Sequence, residues 1–91
     1  MSRNVFEVRL TSQAERAYKH LTPLIRKRVD RVLEQFEQGN FQHPNIRALT
    51  GPYAGSLRYR MGDWRVVFSV DHKSQLVWIE AITTRGGAYG R

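Results

Sequence analysis

The sequence predicts an α+β two-layer domain: a helical hairpin on one face of a mostly antiparallel four-stranded sheet, in the order β-α-α-β-β-β. Three observations carry that expectation. An alternating apolar stretch opens the chain, two stretches with apolar residues at helical spacing follow, and the second half alternates or runs apolar between short polar breaks. The 91 residues suit a single domain spanning 1–91, with one modest core.

In residues 4–10, Phe6, Val8 and Leu10 fall on one side and Glu7 and Arg9 on the other, the pattern of a half-buried strand. Ser12 then reads as a helix cap, with Glu15 reaching back to it. Ala14, Ala17, Tyr18 and Leu21 follow at i, i+3, i+4 and i+7. Thr22-Pro23 is a second start, since proline at the first helical position loses no needed N–H. Ile25, Val29, Val32, Leu33 and Phe36 continue at helical spacing, and Gly39 is the expected left-handed stop. Residues 40–54, with Pro44, Gly51 and Pro52, read as irregular. Strands are expected over 56–61, 64–71 and 75–83.

The hairpin between the first two of these strands fixes a register. Gly62-Asp63 has the composition of a tight two-residue turn, so Met61 faces Trp64, Tyr59 faces Val66 and Leu57 faces Phe68. Those six residues share one face, which belongs under the helices. Arg58, Arg60 and Arg65 share the other, and Arg60 lies directly opposite Arg65. Like charges so placed cost the sheet a few tenths of a kcal/mol. Either the arginines serve an anion such as a phosphate diester, or they are long solvated side chains covering apolar surface. Glu80 is the candidate internal neutraliser. If Val77, Ile79 and Ala81 face the helices, Glu80 sits near the arginines; the alternative puts Leu76, Trp78 and Ile82 inward.

The charge balance points the same way. Lys plus Arg is 15 against 8 acidic residues, a net charge of +7, and the basic residues are mostly Arg. Arginine suits planar, two-pronged contact with carboxylate or phosphate, so a nucleic acid or an acidic protein is the expected partner. Cysteine is absent, which excludes disulfides, thiolate zinc sites and cysteine nucleophiles. His20, His43 and His72 show no metal-ligand spacing, and no glycine-rich nucleotide loop joins a strand to a helix. No metal or other cofactor is therefore implied. No apolar run approaches the roughly 18 residues of a membrane span, and the first residues do not form a signal peptide, so a cytoplasmic location without membrane attachment is expected. After the last strand, Arg85 and Tyr89 stand four residues apart in a glycine-rich setting.

Taken with the strand and helical hairpin, Leu49-x-Gly51, Gly55-x-x-Arg58-x-Arg60-x-Gly62-Asp63-x-Arg65-Val66-Val67-Phe68 and the closing Arg85-x-x-x-Tyr89 resemble the RelE/ParE toxin superfamily of bacterial toxin–antitoxin systems, over nearly the whole chain. The resemblance implies a toxin. In the RelE branch that toxin is a metal-independent endoribonuclease that cuts mRNA on the ribosome and is neutralised by a cognate antitoxin. Any operator DNA is met only through the antitoxin complex. The resemblance assigns Arg65, Arg85 and Tyr89 to catalysis and Arg58 and Arg60 to the RNA phosphates. Thr84 stands where many relatives carry a histidine, which removes a histidine acid or base. The alternative within the superfamily is a ParE-like toxin, with the same fold and no nuclease, that inhibits DNA gyrase.

Overall fold

Alternation places Val8 and Leu10 on the core side of the first strand, β1 (Glu7–Leu10), as expected, and Phe6 just before it also packs against the core. The computed structural model describes residues 5–84. The chain leaves the sheet at Thr11, whose backbone N–H still donates to Ile79 O at 3.0 Å. Thr11, rather than Ser12, caps α1 (Ser12–Lys19): its Oγ1 accepts from Ala14 N at 3.2 Å. The extended residue that ends the strand is also the one whose hydroxyl reaches the first turn, so the cap falls one position earlier than the sequence suggested. Thr22 caps α2 (Pro23–Glu37) with proline in its first turn. Gly39 follows with φ +77°, the left-handed stop.

Five strands form, not four. β2 (Ile46–Ala48) and a single 3-10 turn over Gly51–Tyr53 occupy the segment expected to be irregular. A three-residue edge strand is too short to show alternation, which is why the sequence hides it. β3 (Leu57–Met61), β4 (Trp64–Asp71) and β5 (Leu76–Thr84) complete a sheet in the order β1-β5-β4-β3-β2. β1 runs parallel to β5 and every other pair is antiparallel.

The helices cover one face. Val29, Val32 and Phe36 of α2 pack with Tyr59, Met61, Val66, Phe68, Val77 and Ile79 in one core. Phe36 and Phe68 lie with ring centroids 4.1 Å apart, so the C-terminal end of α2 rests on the centre of β4. Among the described residues, no helix is long and apolar enough to cross a membrane.

Candidate nucleic-acid interface

The β3–β4 hairpin has the expected register at every pair: Leu57 with Phe68, Arg58 with Val67, Tyr59 with Val66, Arg60 with Arg65, and Met61 with Trp64. Gly62 supplies the positive φ of +64° that the two-residue turn requires. Leu57, Tyr59, Met61, Trp64, Val66 and Phe68 belong to or pack against the helix-covered core, so Arg58, Arg60 and Arg65 lie on the face away from the helices. Arg60 is exposed, whereas Arg58 and Arg65 are half-buried. Arg65 folds toward the turn, its Nη1 donating to Gly62 O and Trp64 O, each at 3.2 Å. Arg58 leans the other way, its Nη1 donating to Asn45 O at 3.2 Å.

One basic residue on this face was missed by sequence reasoning. β2 pairs with β3 so that Arg47 stands directly opposite Arg58. Without β2 there was no register from which to place it. Two like-charged cross-strand pairs therefore occupy successive rows, Arg47 with Arg58 and Arg60 with Arg65. Val67 and Ala81 continue the first row and are 1% and 8% exposed on a face no helix covers.

Glu80 does not neutralise the arginines. Val67 pairs with Ala81 and Phe68 with Ile79, leaving Glu80 as the extra residue of a β-bulge. The bulge also settles the inward face of β5, because Val77 and Ile79 point to the core before it and Ile82 after it. Each alternative was half right, since a bulge breaks the period of two. The Glu80 carboxylate takes its hydrogen bond from Ser56 Oγ at 2.7 Å rather than from a guanidinium, and its backbone oxygen accepts from Thr11 Oγ1 at 3.2 Å.

β5 ends beside the second arginine row, with Thr83 opposite Arg65 and Thr84 opposite Trp64. Arg85 and Tyr89 lie outside the described residues. His20, His43 and His72 belong to separate parts of the fold: His20 ends α1, His43 stacks near Tyr59 and His72 packs edge-on to Phe6 and Phe41. A groove of about 430 Å³ opens at the far edge of the sheet, beside β1, and its lining among the described residues includes Glu7 and Glu37 but no basic side chain.

The sequence matches no protein-family model and no curated protein. Solved structures do match. RelE of the RelE-RelB complex from Pyrococcus horikoshii aligns at 25% identity and a TM-score of 0.77, covering 92% of this chain and 99% of that one. The RelBE2 toxin–antitoxin complex from Mycobacterium tuberculosis gives 24% identity and a TM-score of 0.64, covering 88% and 98%. The RelB-RelE complex from Methanococcus jannaschii gives 20% and 0.70, covering 89% and 94%. The similarity spans both layers of the fold and nearly the full length of each relative: the chain has the fold of the RelE-like toxins, and its arginine-bearing hairpin resembles theirs in sequence.

Proposed function

We propose that the chain is the toxin of a toxin–antitoxin pair and acts as a ribosome-dependent, metal-independent mRNA endoribonuclease that inhibits translation in the cytoplasm. A cognate antitoxin neutralises it, and operator DNA is reached only through that complex. The pairing is supported by similar chains that were solved with antitoxins, among them RelE with RelB and YoeB with YefM from Staphylococcus aureus. The nuclease reading rests chiefly on one observation: Arg60 and Arg65 face each other on the sheet surface opposite the helices, with no acidic side chain in register.

Cleavage without metal uses the RNA's own 2′-hydroxyl. The 2′-oxygen attacks the adjacent phosphorus and the bond to the 5′-oxygen breaks. A 2′,3′-cyclic phosphate and a 5′-hydroxyl end result. One group accepts the 2′-proton and another returns a proton to the leaving oxygen. Charge accumulates on the non-bridging oxygens, where fixed guanidinium groups are worth most. Arg65 is the main clamp, assisted by Arg60 and Arg85, while Arg58 holds the neighbouring backbone. Tyr89 handles a proton or stacks on a base. The chain offers no strong base among these residues, which suits an enzyme that leaves in-line alignment of the RNA to the ribosome.

The test is cleavage of mRNA on programmed ribosomes. The wild-type chain is expected to cut, and Arg65→Ala to lower kcat by about 10²–10³-fold. Cleavage untouched by Arg65→Ala would remove the clamp. Intact mRNA together with inhibited gyrase supercoiling would move the chain to the ParE-like reading.

A further inference from the structure

Arg47 has no place in the machinery described so far, yet it is the fourth arginine of the same surface. It is exposed, and among the described residues its guanidinium makes no hydrogen bond or ion pair. It stands directly across from Arg58, one row beyond the Arg60–Arg65 pair. We propose that Arg47 and Arg58 form a second phosphate clamp, holding a phosphate next to the scissile one, so that the RNA strand runs obliquely across β3 toward the β2 edge. The proposal rests on the nuclease reading and adds a path and a positioning residue to it.

The geometry supports a path rather than a point. Neighbouring strands lie about 4.8 Å apart and alternate residues of one strand about 6.8 Å apart. The midpoints of the two arginine pairs are then separated by about 8 Å, a gap that arginine stems can adjust to consecutive phosphates. Arg58 already leans toward β2, donating to Asn45 O, the residue before that strand. A single phosphate cannot offset two stacked like-charge pairs, whereas a polyanion bridging both rows can. Glu80, held by Ser56 two residues before Arg58, leaves no favourable continuation of the strand toward β5.

The experiment measures kcat and KM separately on programmed ribosomes. Arg47→Ala is expected to raise KM about 5–10-fold with kcat within twofold, and Arg47→Lys to recover part of the loss. Arg31→Ala, an exposed arginine on α2, controls for net charge and should change neither. Replacing the phosphates flanking the cleavage site, one at a time, with uncharged methylphosphonate should at one position raise the wild-type KM as much as Arg47→Ala does. At that position the substitution should add nothing to Arg47→Ala. Unchanged KM for Arg47→Ala, with Arg65→Ala still inactive, overturns the second clamp and leaves the nuclease reading intact. An effect of Arg47→Ala confined to binding an acidic antitoxin segment overturns it as well. Absence of cleavage by the wild-type chain is a different result and strikes the nuclease reading itself.

Discussion

Two guanidinium groups facing each other across a pair of strands repel, and the repulsion costs the sheet stability. Arg60 shows this most clearly, because it is exposed and its side chain has no partner among the described residues. Arg60→Thr is therefore expected to leave stability unchanged or raise it by about 0.3–1 kcal/mol, measured by urea unfolding, while cleavage falls. A residue kept for folding would show the opposite. Tyr18 is such a residue: its hydroxyl donates to Asp30 Oδ1 at 2.6 Å, tying α1 to α2. That hydrogen bond, aided by partial burial and by the carboxylate's charge, raises the Tyr18 pKa above its ordinary value. Its stabilisation is therefore complete below the unfolded tyrosine value near 10 and is lost as pH rises through the folded one. Tyr18→Phe should cost about 1 kcal/mol at pH 7, and the gap should close in strongly alkaline solution. Asp71 has the opposite sign. Ser74 and Lys73 donate to its carboxylate and hold its pKa below the usual range. Asp71→Ala should lower Tm at neutral pH, with the difference shrinking as pH falls through the folded value.

At the scale of elements, the segments between caps and turns formed as local chemistry dictates. Gly39 ends the α2 segment at φ +77°, and a Cβ there would meet the Phe6 ring at 3.4 Å. Gly39→Ala should cost about 1–2 kcal/mol in thermal or urea unfolding, from the left-handed backbone rather than from that contact, which is of ordinary length. The β3–β4 hairpin was fully legible, because Gly62-Asp63 sets the turn and the turn sets every pair after it. What escaped were features that tertiary context decides. β2 is three residues long and exists because β3 offers it an open edge. The bulge at Glu80 exists because Val77, Ile79 and Ile82 must all reach the core, which a strict period of two forbids. Missing β2 meant missing Arg47, so the candidate site was read as three described arginines where the fold assembles four. Thr11 was missed as a cap because Ser12 beside it has the same chemistry.

Across the whole molecule, the two faces of the sheet divide the work. One is sealed by α2 through the Phe36–Phe68 contact, and Phe36→Ala should destabilise by about 3–5 kcal/mol, a large share of what a chain this small has. The other is left to charge. A net charge of +7 on 91 residues repels itself, and gathering four arginines on that face concentrates the repulsion. An anionic partner relieves such repulsion, and the RNA of the proposed function is one. The most direct measurement is arginine side-chain NMR of the chain titrated with a short RNA whose 2′-hydroxyls are methylated, so that it binds without being cut. The expected result is that the Nε–H signals of Arg58, Arg60 and Arg65 shift together and saturably, and those of Arg16 and Arg31 on the helices stay still. Shifts confined to the helical arginines, or none from the sheet face at any RNA concentration, would contradict a phosphate-binding surface there.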